Sequence, residues 1–338
     1  MEKDSTARVT APSLTRRAGG GFLLFLLLLL TACTGKQQGP SPEQEARRDS
    51  AALHVSLMPV ADCLPIYFAK KMGIYDSMGL DVRITTLQAQ LDTDTALLHR
   101  RAEIAYSDLI RAIMMQQADT FGVVAVAATE GALELVTPRR GRVRSIPQLR
   151  ERMVAVARHS ITDYWSDRAT DTAQMEADAI FRPQINDVAI RTAMLVNGTM
   201  DAAFLPEPYV TQMTLLGANR HLSTRNLSPR LAAYVVPRWV MDDTTRTRQL
   251  RQLFQGYGIA SDRLNGAERD SLPALLRDIC ALPDSIADSV STAMPPFAAL
   301  DTIRRADAQE ALKWLQGRGR ARKDYTADTL VNNTIIKP

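Results

Sequence analysis

The chain has 338 residues, 46% of them hydrophobic and 23% charged, with a formal charge of +4. That length suffices for two lobes with sizeable cores. The basic residues form no clustered face beyond the local run Arg139-Arg140-Gly141-Arg142-Val143-Arg144, read as a solvated loop, which argues against nucleic-acid binding. Three cysteines and four histidines, with no Cys-x-x-Cys and no His/Cys cluster, argue against a metal site. No motif calls for a cofactor.

Phe22 to Leu30 is an unbroken apolar run behind Arg16, Arg17 and three glycines. It falls far short of the ~20 apolar residues a membrane span needs, and fits the charged and apolar regions of an export signal. It ends in Leu30-Thr31-Ala32-Cys33, which resembles the lipobox of bacterial lipoproteins. The resemblance implies a signal peptide over residues 1–32 and a lipid on Cys33. Residues 1–32 hold four of the 41 basic and two of the 37 acidic residues, so without them the formal charge is +2. Residues 33–52 are polar and are expected to be a flexible tether. Of the other cysteines, Cys63 and Cys280 either form a disulfide in an oxidising compartment or are small buried hydrophobes.

From Leu53 the pattern alternates strands and helices, which says α/β. Leu53 to Leu57 reads as a strand, and Leu64 to Lys71 as a helix with Pro65 in its first turn. Leu80 to Leu87 is a second strand and Thr95 to Arg101 a short helix. Glu103 to Ser107 is a strand, followed by a helix from Asp108 to Gln117. Phe121 to Thr129 lacks polar alternation and reads as a buried parallel strand.

The pattern then restarts. Leu133 to Thr137 is a strand ending at Pro138, and Ser145 caps a short helix. Met153 to Ala157 is a buried strand, Thr162 to Ile180 a long helix, and Ile185 to Ile190 a strand. Asp201 to Leu205 is another strand. Pro206 and Pro208 fix φ and cannot donate to a sheet, so it must end there, which holds Glu207 on a stiffened loop. Tyr209 to Leu216 is a helix, and Ala232 to Val236 a strand stopped by Pro237. Beyond it the chain is almost all helical. Leu250, Leu253, Phe254 and Tyr257 fall at the spacing of a core-facing helical stripe, and Met294-Pro295-Pro296-Phe297 breaks the run.

Several segments together resemble one family, the extracytoplasmic solute-binding proteins of ABC importers, in the group that includes nitrate, sulfonate, taurine and thiamine-precursor binders. Asp62 to Ala69, then Gly73-Ile74-Tyr75 and Gly79-Leu80-Asp81-Val82, are similar to its opening. Leu97 to Asp108 resembles its third-strand segment, with Arg101-Ala102 in place of the usual glycine. Leu205-Pro206-Glu207-Pro208-Tyr209 resembles its second-lobe motif, and Trp314-Leu315-Gln316 through Tyr325 its C-terminal tail. The resemblance implies a two-lobed periplasmic-binding-protein type 2 fold with a ligand cleft between lobes. Residues 53–137 plus 237–338 are expected to form lobe I and 138–236 lobe II, joined near Pro138 and Pro237.

In such a fold, ligands meet strand C-termini and helix N-termini at the cleft. This selects Asp62, Cys63 and Leu64, then Ser107 and Asp108, then Thr129 and Glu130 in the first lobe. In the second it selects His159, Ser160, Glu207 and Tyr209. Each has a plainer reading: Asp108 suits a helix cap, His159 a structural imidazole, Ser160 or Thr162 an N-cap, and Tyr209 core. The acidic weighting of Asp62, Asp108, Glu130 and Glu207 suggests a neutral or cationic ligand such as an aminopyrimidine. A sulfonate or nitrate site would want Arg or Lys, and Arg158 is the obvious candidate.

The resemblance implies a monomer held by its lipid in the bacterial cell envelope, facing the periplasm or the outside. Hinge closure on a small molecule would be followed by delivery to a membrane permease with a cytoplasmic ATPase; the chain itself has no Gly-x-x-x-x-Gly-Lys-Ser/Thr loop. An enzyme on the same fold, of the thiamine-pyrimidine or menaquinone type, and a ligand-sensing lipoprotein without transport are the alternatives.

Overall fold

The computed structural model describes residues 41–118, 122–141 and 143–336. The expected signal peptide and Cys33 lie outside them. Among the described residues, no helix is long and apolar enough to cross a membrane.

Part of the expected tether is helical. Helix α1 spans Pro42–Ala51. Its start is closed reciprocally: the Gln44 N–H donates to Ser41 Oγ (3.2 Å) and the Ser41 N–H to Gln44 Oε1 (3.0 Å). Such a box satisfies two amides that a helix start leaves free. Glu43 and Glu45 in the first turn also suit the helix dipole.

The rest of the chain builds two sheets. The first has the order β2 (Val82–Thr86), β1 (Leu53–Leu57), β3 (Ile104–Asp108), β9 (Ala232–Pro237), β4 (Val123–Ala128). Strand β1 pairs parallel with β2 and β3, whereas β9 runs antiparallel between β3 and β4. The expectation of a parallel β4 is thus corrected: its strand partner is β9, which returns from far along the chain. Every residue of β4 is buried although it is the outermost strand. Ala125 exchanges backbone bonds with the 330–332 segment, and Ala128 with Asp301, so chain from the C-terminal end covers the exposed edge.

The second sheet has the order β6 (Val154–Ala155), β7 (Ala202–Pro206), β5 (Leu133–Thr137), β8 (Asn219–Ser223). Strand β8 has no counterpart in the sequence reading. The chain therefore passes between sheets at 129–132 and returns at 224–231, earlier than Pro138 and Pro237. Those prolines end β5 and β9, but β5 already belongs to the second sheet and β9 to the first. A proline marks where a ladder stops, not which sheet the ladder joins.

Helices α2 (Leu64–Lys71), α3 (Ile74–Ser77), α4 (Gln90–Leu98) and α5 (Leu109–Ala118) accompany the first sheet. Helices α6 (Ile161–Thr172), α7 (Val188–Val196) and α8 (Tyr209–Leu215) accompany the second. Helix α6 stops well short of Ile180. Helix α7 replaces the strand expected over 185–190. Asp187 caps it by accepting from the Ile190 N–H (2.9 Å), and Val188, Thr192 and Leu195 fall at helical spacing on its buried face. The remainder is α9 (Arg238–Asp242), α10 (Thr244–Asn265), α11 (Leu272–Cys280), α12 (Asp284–Ala293) and α13 (Arg305–Gly317). Leu250, Leu253, Phe254 and Tyr257 are the buried stripe of α10, as their spacing requires.

Helix α13 packs beside α5 yet also grips α6 of the second sheet. Trp314 Nε1 donates to Asp167 Oδ2 (2.8 Å), and Arg318 pairs with Asp167 and lies 4.7 Å from the Trp314 ring centre. Arg318 also reaches Asp163 at 3.9 Å, Arg182 meets Asp167 at 3.2 Å, and Arg168 pairs with Glu310. None of these residues lines the cavity described below.

Candidate functional site

The C-terminal ends of β1, β4 and β7 converge on one small cavity of about 30 Å³. Its polar lining is Asp62, Glu130, Glu207, Arg225, Tyr106 and Tyr257, with an apolar wall from Met294 to Ala298.

Asp62 stands in a short turn between β1 and α2. Its Oδ2 accepts three hydrogen bonds, from Tyr106 Oη (2.9 Å), Thr129 Oγ1 (2.6 Å) and the Gly131 N–H (3.0 Å). Burial pushes its carboxyl above the usual range, and these donors oppose the shift. Glu130 lies on the outward crossing between the sheets and pairs with Arg225 on the return crossing. Burial raises its carboxyl as well, against the pull of Arg225. Glu207 sits between Pro206 and Pro208, and its peptide bond to Pro208 is cis. Its Oε2 accepts from the Thr211 N–H in α8 (3.1 Å), and burial raises its carboxyl too. The Glu207 carbonyl accepts from the Ala61 N–H (2.8 Å), which ties the loop after β7 to the loop after β1.

Of the residues selected from sequence, Asp62, Glu130 and Glu207 therefore line the cavity. Thr129 stands behind it as a donor to Asp62. The others do not line it, and their positions explain why. Cys63 and Leu64 are wholly buried where α2 begins. Cys63 and Cys280 are both free and buried, and the Cys280 thiol donates to the Pro59 carbonyl (3.3 Å). Ser107 donates to Asp94 Oδ1 (2.6 Å) within the first sheet's core. Asp108 caps α5 through the Arg111 N–H (2.8 Å) and also accepts from the Ile161 N–H (3.0 Å) and Gln90 (2.9 Å). It is a fully buried junction between the sheets. Ser160 is the N-cap of α6, and His159 has φ +56° with its N–H bound to Asp163 (2.9 Å). Burial lowers the His159 imidazole, helped by nearby Arg320. Tyr209 is core, its hydroxyl 3.5 Å from the Cys280 carbonyl.

Arg225 is the main residue that sequence reasoning missed. It lies in the stretch between Leu216 and Ala232, which carries no apolar periodicity to place it. Tyr257 was read only as core, and Met294-Pro295-Pro296-Phe297 only as a helix break. A Pro-Pro pair flanked by large apolar residues was the available signal for a stiff wall. Arg158 does not line the cavity.

The cavity thus offers carboxylates and phenols to donors, and one guanidinium already satisfied by Glu130. Among the described residues, no cluster of His, Cys, Asp and Glu is arranged to hold a metal ion.

Several solved structures share this architecture. The alkanesulfonate-binding protein SsuA of Xanthomonas axonopodis pv. citri, bound to MOPS, is 15% identical, with a TM-score of 0.70 over 84% of this chain and 99% of that one. The ligand-binding component of an ABC-type import system of Staphylococcus aureus, with zinc bound, is 14% identical, with a TM-score of 0.68 over 85% and 98%. The periplasmic nitrate-binding protein NrtA of Synechocystis PCC 6803 is 13% identical, with a TM-score of 0.68 over 85% and 87%. These likenesses establish the fold as the two-lobed one of periplasmic binding proteins. No curated protein matches the chain in sequence. The family model described as NMT1/THI5 like matches residues 60–228, which is half of the chain and spans Asp62, Glu130, Glu207 and Arg225; the chain belongs to the NMT1/THI5-like family.

Proposed function

We propose that this chain is the extracytoplasmic solute-binding component of an ABC importer, a binding protein and not an enzyme. It would be anchored as a monomer by lipid on Cys33 and would hand its ligand to a permease driven by a cytoplasmic ATPase. The lobes would follow the two sheets, with 129–132 and 224–231 as the hinge. The observation that carries the reading is the cavity at the facing strand ends, where ligands of open α/β sheets bind.

The ligand we favour is neutral or cationic, such as an aminopyrimidine. Arg225 is paired with Glu130, which leaves Asp62 and Glu207 in excess. Ring amino groups would give both carboxylates donors in exchange for lost water. The cavity is narrow for such a ring, and on this reading the lobes part to admit it and close again around it. Arg225 favours a second reading, a sulfonate or nitrate that draws the guanidinium from Glu130.

A calorimetric panel of aminopyrimidine, thiamine, taurine, an alkanesulfonate and nitrate separates these. Saturable binding of the aminopyrimidine, weakened at least about tenfold in E207Q (one lost charge-assisted hydrogen bond), supports the first reading. Binding of the anions alone, lost in R225M, selects the second. A panel that binds nowhere removes the importer reading for these solutes.

A further inference from the structure

We infer that Asp62 is a positioning residue, the pin of the pivot between the two sheets, and that its carboxylate sets how far the cleft opens. The inference rests on the reading of a cleft that opens.

The pivot is visible in the packing of the two crossings. The outward crossing touches the start of β9 where Gly131 meets Ala232, directly after the return crossing: a Cβ on Gly131 would stand 2.2 Å from the Ala232 Cβ, and Gly131 has φ +54°. The Thr129 N–H donates to the Ala232 carbonyl beside that contact (3.2 Å). On the far side of the cavity, Leu133 and Thr224 are bonded through backbone and hydroxyl. The crossings are therefore joined at both ends of the short segment 129–133, and rotation of one sheet against the other must bend this segment.

Asp62 belongs to neither crossing. It stands on the β1–α2 loop of the first sheet, and two of the three donors on its Oδ2 come from the outward crossing. The third, Tyr106, comes from β3 of the same sheet and holds the carboxylate in place. The Tyr234 hydroxyl, from β9, donates to the Asp62 carbonyl (2.9 Å) and fixes its backbone. So one oxygen holds the hinge strand against the first sheet. Charge-assisted bonds to one acceptor are strong and directional. The residue between the two hinge donors is Glu130, whose side chain instead pairs across to Arg225 on the return crossing. Anything that bonds Asp62 from the cavity draws on the same carboxylate that holds the pivot. A ligand at this site would thereby be coupled to the hinge without a relay of intermediate side chains.

The test reads the distance between sheets directly. Spin labels on S77C in α3 beside the first sheet and D178C after α6 beside the second, both exposed, report it by pulsed electron resonance in the full chain carrying C33S; Cys63 and Cys280 are buried. In D62A the ratio of long to short distances should rise about tenfold, the equivalent of one lost charge-assisted hydrogen bond. D62N, whose amide oxygen still accepts, should restore most of the wild-type distribution. T129V should shift it in the same direction as D62A, although Thr129 does not line the cavity. If D62A and T129V melt lower but keep the wild-type distances, Asp62 is only a structural acceptor and the inference fails alone. If the wild type holds one narrow distance with and without every solute of the binding panel, no hinge exists, and the hinge-closure reading falls with it.

Discussion

Two of the places where the sheets grip each other differ in charge balance. In the clasp between α6 and α13, Asp163, Asp167 and Glu310 face Arg168, Arg182 and Arg318, acid matched by base but for the exposed Asp171 beside Arg168. In the cavity, Asp62, Glu130 and Glu207 face Arg225 alone, and burial raises all three carboxyls. Both regions contain partly buried charge, yet only the second leaves it uncompensated. Matched charge is what a structural contact needs; unmatched carboxylates in a cavity carry a cost that a ligand with donors would relieve.

The largest expected effect tests the clasp as structure. W314A removes the indole's bond to Asp167, its stack with Arg318 and its edge contact with Tyr164, and should cost about 3 kcal/mol in urea unfolding. A cost near zero would mean that the clasp is ornamental. Next, R318M should cost about 1–2 kcal/mol, because Asp163 and Asp167 lose a partner while the partly exposed guanidinium is screened by water. Its penalty should shrink in 1 M salt, where the Debye length is about 3 Å. A penalty indifferent to salt would assign the effect to the side chain's packing on Trp314.

The smallest effect sharpens the cavity side, and its sign decides. Burial raises the Glu207 carboxyl from 4.5, so the folded protein holds that proton more tightly than the unfolded chain. The stability linked to it is fully present below pH 4.5 and is lost as pH rises through the folded value. Gln does not titrate and keeps an acceptor for the Thr211 N–H. E207Q should therefore gain in melting temperature over the wild type as pH rises from 4.5 to 8. A gain that fell with rising pH would show Glu207 to be a stabilised carboxylate, and would erase the contrast with the clasp.

Much of the fold was legible because local signals sufficed for it. Prolines ended β5, β7 and β9 where expected, and the apolar stripe of α10 faced the core. What failed depended on partners distant in sequence. Nothing near Val123 says that β9 will pair with it antiparallel. The 185–190 stretch, expected as a strand, becomes the start of helix α7, for which Asp187 supplies the cap. At the site, placement at strand ends selected Asp62, Glu130 and Glu207, which line the cavity, but the same rule also selected Ser107, Asp108 and Ser160, which do not. Those three have every polar demand met by neighbours or by their own helix. Strand-end position is shared by caps and ligand contacts, and only the direction of the side chain separates them. Arg225 was out of reach because an aperiodic crossing gives no register.

The insertion of β9 between β3 and β4 also governs when the protein can fold. Until the ribosome has made Ala232 to Pro237, β3 and β4 have no common partner, and the first sheet is in two pieces. Even then the outer rim of β4 stays bare until the 330–332 segment emerges. Contacts of such long sequence separation form slowly. A nascent chain of this design cannot close its first sheet until residues far along the chain have been made.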